Sequence, residues 1–161
     1  MAQRGLSSEM SSIILSVGIS VVAFVFFKFA PNYTPEYNSI RGLPGWLGIE
    51  HVRFEPGRLW CRATIGEELL TPFGNAHGGV LAAIADHITG MVVYPLMKRG
   101  QWAATTEVKV NYIAPVQAGV VETESTVLAM TNRSAVVRGE IHFQGRLACA
   151  AQGTLTIVDP R

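Results

Sequence analysis

The hydrophobic period changes several times along this chain. Ile13 to Phe27 is an unbroken run of apolar, Ser and Gly residues, and widening it to residues 10–30 admits one charge, Lys28. Ile49 to Glu55 alternates apolar and polar positions, which predicts a strand with one face on a core. Pro56-Gly57 turns the chain, and Leu59 to Ile65 returns as the second strand of a hairpin. From Gly78 to about Met97 the period becomes helical. Val80, Leu81, Ile84, Ile88, Met91 and Val92 recur at helical spacing, while Ala82, Ala83, Ala85 and Gly90 occupy the other faces. This predicts one long helix, buried on most sides and ended or kinked at Pro95. Four strand-like segments follow: Thr105 to Tyr112, Gly119 to Leu128, Ser134 to Gln144 and Arg146 to Val158, with a tight turn at Gln144-Gly145-Arg146. Hairpin, buried helix and antiparallel meander make an α+β layout, with the helix packed on a curved antiparallel sheet.

The N-terminal run is long enough to span a bilayer, which takes about 20 mostly apolar residues. It is apolar on every face, as a lipid-embedded helix is, and Lys28 can snorkel to the interface. The alternative is a helix buried in the domain or in an oligomer. A cleaved signal peptide fits less well, because Lys28 and Pro31 flank the candidate cleavage point after Ala30. Lys28 and Arg41 follow the segment, whereas Arg4 before it is offset by Glu9. That asymmetry favours an uncleaved anchor with a cytoplasmic C-terminal domain. Pro31 to Asn38 reads as a linker, and Gly42, Pro44 and Gly45 leave at most a short broken helix before Leu47. The chain therefore divides into residues 1–35, an apolar segment with its linker, and residues 36–161, a single domain.

A net charge of +1 and the lack of any Lys/Arg stripe argue against nucleic acid as a partner. Cys61 and Cys149 fall in predicted strands without CxxC spacing, which fits buried reduced thiols and a reducing compartment. The four histidines form no metal set. His51 and His142 lie in alternating segments, where they face water or pack, and His77 and His87 lack H-x-x-x-H spacing.

Candidate chemistry concentrates in His77-Gly78-Gly79 and Asp86. Two glycines at a helix start allow a ligand close to bare backbone N–H groups. A carboxylate on an otherwise apolar helix is costly unless it is partnered or used. Three features carry a family resemblance: His77-Gly78-Gly79 with Asp86 nine positions after His77, the strand Thr105-Thr106-Glu107-Val108-Lys109-Val110-Asn111-Tyr112 leading to Ala114-Pro115, and Asn132-Arg133-Ser134-Ala135-Val136-Val137. From about Trp46 to Val158 the chain resembles a hotdog-fold acyl-CoA thioesterase of the phenylacetate-pathway and 4-hydroxybenzoyl-CoA type.

The resemblance implies an antiparallel sheet wrapped around one central helix, a CoA thioester as substrate, no cofactor, and a homodimer or homotetramer with shared sites. It implies that Gly78 N–H holds the thioester oxygen and that Asp86 is general base or nucleophile. Thr105 matches a residue that helps position the attacking water. Arg133 and Ser134 match a region that meets the CoA phosphates, and His77, Gly79 and Asn75 fall on the substrate side of the motif. Met91, Val92 and Tyr94 become candidates for the acyl pocket. Where many relatives carry Asn or Gln six positions before the motif His, this chain has Thr71. That departure, together with the apolar segment, motivates a second expectation: a non-catalytic acyl-CoA or lipid-binding module at a membrane. Helical rise adds a constraint. Gly78 and Asp86 stand about 12 Å apart along one helix, so a single carbonyl carbon cannot touch both.

Overall fold

The computed structural model describes residues 42–160. The N-terminal apolar segment, with the helix and anchor expected for it, lies outside those residues. A one-turn helix α1 (Leu43–Trp46) leads into β1 (Glu50–Glu55) and β2 (Arg58–Ile65), then the central helix α2 (Gly78–Met91). The chain continues as β3 (Trp102–Tyr112), β4 (Gly119–Met130), β5 (Ser134–Phe143) and β6 (Arg146–Val158). All pairings are antiparallel, in the order β1-β2-β4-β5-β6-β3. Gln144 (φ 51°) and Gly145 (φ 74°) both take positive φ at the β5–β6 hairpin, the backbone that matches strand twist.

Two expectations change. The last four strands are not one meander. Only β4-β5-β6 runs in sequence order, because the passage through α2 carries the chain to the far side of the sheet. There β3 pairs with β6, while β2 pairs with β4. Regular helix also stops at Met91 rather than Met97, and Pro95 sits in a 3₁₀ turn, Tyr94–Leu96. Val92, Val93 and Tyr94 remain buried beyond the helix end, so burial rather than helical period made these positions apolar.

Inner-facing positions of the strands pack on one face of α2, where Leu81, Ile84, Ala85, Ile88, Thr89 and Met91 are buried. Gly139 and Gly153 let the helix lie low on the sheet. A Cβ on Gly139 would come within 3.1 Å of Thr89 Cγ2, and one on Gly153 within 3.1 Å of Thr89 Oγ1. The buried hydroxyls are satisfied: Thr89 donates to Ala85 O at 2.9 Å, and Ser125 donates to Ile88 O at 2.9 Å. The outer face carries cross-strand ion pairs such as Arg58–Glu124 and Arg62–Glu122, and both Arg53 and Arg58 stack on Trp60.

The other face of α2 is less covered among the described residues. Asp86 is exposed there, and a Cβ on Gly90 would meet nothing within 4 Å. The helix is thus fully buried on its sheet side and partly covered elsewhere, with Gly79 and Asp86 exposed. Among the described residues strand β3 closes the sheet as an edge, with one row of its backbone groups unpaired there.

Candidate active site

The loop before α2 is folded back on itself. Thr71 N–H donates to Asn75 O at 2.7 Å, and Leu70 bridges Ala76. Thr71 and Asn75 therefore meet, backbone to backbone, at the neck of this loop. Ala76 N–H donates to Val116 O at 2.6 Å and His77 N–H to Leu69 O at 3.0 Å, which fixes where the helix begins.

His77 is the N-cap. Its Nδ1 accepts from Gly79 N–H at 3.1 Å, and its carbonyl accepts from Val80 N–H at 2.9 Å. A neutral His77 with Nδ1 accepting carries its proton on Nε2, leaving an N–H donor on the outer side of the exposed ring. Gly79, expected on the substrate side, has its N–H occupied by the cap. Gly78 N–H, in contrast, has no acceptor among the described residues. It is the free first-turn donor, at the positive end of the helix dipole. Tyr112 is a residue that sequence reasoning quoted but gave no role. Its hydroxyl donates to Gly78 O at 2.9 Å, and a Cβ on Gly78 would lie 3.2 Å from Tyr112 Cζ.

The remaining candidates are not beside Gly78 in the same chain. Asp86 lies eight residues along the helix. Thr105, Arg133 and Ser134 lie toward the other end of the sheet. Thr105 pairs with Leu155 and Ser134 with Thr156, whereas Tyr112, against Gly78, pairs with Cys149. Six regular strand steps, counted on the partner strand from Leu155 to Cys149, separate Thr105 from Tyr112, about 20 Å at strand rise.

A bulge between Thr105 and Glu107 sets the direction of Thr105. Glu107 pairs with Thr154 and Thr105 with the fully buried Leu155, so Thr106 is the extra residue, its hydroxyl bonded to Thr154 O at 3.0 Å. Thr105 thereby joins Val108, Val110 and Tyr112 on the helix side of the sheet. Arg133 is exposed in the β4–β5 turn, which Thr131 ties by accepting from Arg133 N–H (3.2 Å) and Ser134 N–H (3.0 Å). Met91, Val92 and Tyr94 are buried in the chain's own core.

A second cluster went unread in the sequence. His51 Nε2 lies 3.2 Å from His87 Nε2, with the rings stacked at 5.4 Å between centroids. One ring donates and the other accepts, so the accepting ring is neutral. Burial, and then the charge His87 could carry, pull the His51 pKa down to about 4. Burial also lowers that of His87, against the opposing pull of Asp86. A histidine whose folded pKa lies below its unfolded 6.5 contributes stability at neutral pH that is lost as pH falls from 6.5 toward 4. From the His51 shift, the domain should lose about 2 kcal/mol between pH 7.5 and pH 5. Urea denaturation at the two pH values checks this, and His51→Phe should flatten the difference. Both cysteines are buried and free, and burial raises the Cys61 thiol to about 12 and that of Cys149 to about 11. Among the described residues no group of three or more His, Cys, Asp or Glu side chains could hold a metal ion.

Comparisons with known proteins agree with this geometry. Residues 73–150 match the thioesterase superfamily model. The chain is 26% identical over 121 residues to the 1,4-dihydroxy-2-naphthoyl-CoA hydrolase of Listeria monocytogenes, covering 74% of this chain and 98% of that one. Its fold is similar to that of a Haemophilus influenzae thioesterase, with a TM-score of 0.74 at 22% identity, covering 81% of this chain and 94% of that chain. A thioesterase protein of Streptococcus pneumoniae solved with coenzyme A gives a TM-score of 0.64 at 26% identity, covering 70% and 88% of the two chains. Residues 73–150, which include the helix capped by His77, match the thioesterase superfamily, and the single antiparallel sheet wrapped around that helix gives the hotdog fold.

Proposed function

We propose that this protein hydrolyses acyl-CoA thioesters at sites shared between two copies of the chain. The observation that carries the reading is the helix start, where the His77 cap occupies Gly79 N–H and leaves Gly78 N–H free. The thioester oxygen accepts from Gly78 N–H, and the donor stabilises the oxyanion as the carbonyl carbon becomes tetrahedral. Asp86 of the second copy takes a proton from water, whose oxygen bonds to that carbon, or attacks the carbon itself. Collapse of the intermediate breaks the C–S bond. In the first course the leaving CoA thiolate takes the proton that Asp86 received. In the second, water then cleaves the acyl–Asp86 anhydride, giving the free acid and regenerating the carboxylate while its released proton goes to the thiolate. A thiolate leaves readily, so one carboxylate and one oxyanion donor are a sufficient set and no cofactor enters.

Two features support the second copy. The edge of β3 is unpaired among the described residues, and antiparallel pairing of two β3 edges would bring the Thr105 end of one chain to the Tyr112–Gly78 end of the other. The less covered face of α2, with Ala82, Ala83 and Gly90 around Asp86, leaves room for a neighbour. In that pairing Thr105 orients the water, and Arg133 with Ser134 meets the CoA phosphates, to which a guanidinium offers a fork of donors. Asn75 and the His77 Nε2–H lie on the substrate side of Gly78. Residues 10–30 anchor the assembly to a membrane, with the domain on the cytoplasmic side. A panel of short, medium, long and aryl CoA thioesters, read by release of free thiol, tests the reading. Turnover of at least one member is expected. Saturable binding with no hydrolysis across the panel would select the non-catalytic acyl-CoA-binding alternative that Thr71 motivates.

A further inference from the structure

We infer that Tyr112 is a positioning residue that holds the Gly78 N–H in its direction from the neighbouring strand. The inference rests on the reading of Gly78 as oxyanion donor. Four ties surround the donor, the most direct being that of His77 O, which shares the donor's peptide plane and is held by Val80 N–H at 2.9 Å. Of the other three, His77 N–H is held by Leu69 O at 3.0 Å, Gly79 N–H by His77 Nδ1 at 3.1 Å, and Gly78 O by the Tyr112 hydroxyl at 2.9 Å. The Leu69 tie fixes the residue before Gly78, and the last two fix the peptide plane after it. The Tyr112 ring also closes on the Cα, so that a Cβ at Gly78 would lie 3.2 Å from its Cζ and the ring would have to give by a few tenths of an ångström. Gly78 N–H itself has no acceptor among the described residues, so its direction is set by the tie on its own peptide plane and by those on either side.

The tyrosine is not there to fill the core: it is 55% exposed. An exposed hydroxyl could satisfy itself in water, yet it is spent on a helix carbonyl that the i+4 amide already serves. The gain is therefore orientation. A donor free to swing with a fraying first turn would have to be reoriented at each turnover, whereas a held donor meets the oxyanion in place. Tyr112 also ends β3, the edge strand, so the clamp links the donor to the edge at which a second copy would pair.

Tyr112→Phe keeps the ring and removes only the hydroxyl. With the full-length chain, kcat on the best acyl-CoA substrate is expected to fall about tenfold with KM nearly unchanged, since misplacement of a reacting group costs rate. The melting temperature should stay at the wild-type value, and the Gly78 and Gly79 amide resonances should shift or broaden. Tyr112→Ala, which also frees the space over Gly78, should lower kcat further. An unchanged kcat in Tyr112→Phe, or a rise in KM alone, overturns the inference, as does a fall in kcat matched by an equal loss of folded protein. If the wild-type chain hydrolyses no thioester, the functional reading fails. Unchanged Gly78 and Gly79 amide resonances in Tyr112→Phe would then overturn the clamp on their own.

Discussion

Asp86→Asn is expected to lower acyl-CoA turnover by about 10²- to 10⁴-fold, the range lost when a positioned acid–base group is removed. Asp86 is exposed on the less covered face of α2 in the single chain, so the change should move stability by no more than about 0.5 kcal/mol. Loss of activity with an unchanged melting temperature is the signature, and wild-type-like turnover by a folded Asp86→Asn chain rules the role out. The same variant tests the shared site. Gly78→Pro removes the N–H at the first helical position, where proline is tolerated, and should also be inactive. Mixed after co-refolding, the two inactive variants form heterodimers in which one site combines an intact Gly78 with the other chain's intact Asp86. About a quarter of wild-type activity should return, because random pairing makes half the dimers mixed and each mixed dimer has one complete site. No recovery would mean that both groups act within one chain, which their separation along α2 opposes.

Ile88→Ala is expected to cost about 2–5 kcal/mol of folding free energy. Ile88 is fully buried where α2 meets the sheet, with its Cδ1 3.3 Å from the Cβ position of Gly139. Its carbonyl also accepts from the buried Ser125 hydroxyl, which ties this turn of the helix to β4 and limits collapse into a cavity. Against a typical total of about 5–15 kcal/mol, the loss brings the domain close to unfolding at body temperature. The urea midpoint measures it, and a shift smaller than that of a surface substitution would show that this contact does not hold the helix on the sheet. Asp86→Asn and Ile88→Ala, two residues apart on one helix, should therefore separate cleanly into an activity defect and a stability defect.

Much of the fold was legible because burial imposes period. Alternation marked β2 and β6 to within a residue, since inner positions such as Cys61, Ala63 and Ile65 must face the helix while Arg62 and Thr64 face water. The same logic misplaced the end of α2. Val92, Val93 and Tyr94 are apolar because they are buried, and burial does not require helix. Gly139 and Gly153 read as ordinary strand glycines. Only the docked helix, with Thr89 above both, explains their lack of a side chain. The His51–His87 pair was not legible, because its members stand 36 residues apart and meet only when β1 lies beside α2.

The sequence by itself determined the layout of hairpin, helix and strands, the motif at His77–Gly79, and the separation of Gly78 from Asp86, all of which follow from local geometry along one chain. The tertiary structure decided which donor is free, by spending Gly79 N–H on the His77 ring, and decided which face Thr105 takes. Strict alternation from Glu107 would put Thr105 on the outer surface. The extra residue in β3 turns it to the helix side, since one inserted residue reverses every side chain beyond it. It also decided that β3 is an edge among the described residues, because strand order depends on where the passage through α2 sets the chain down, and no local period encodes that.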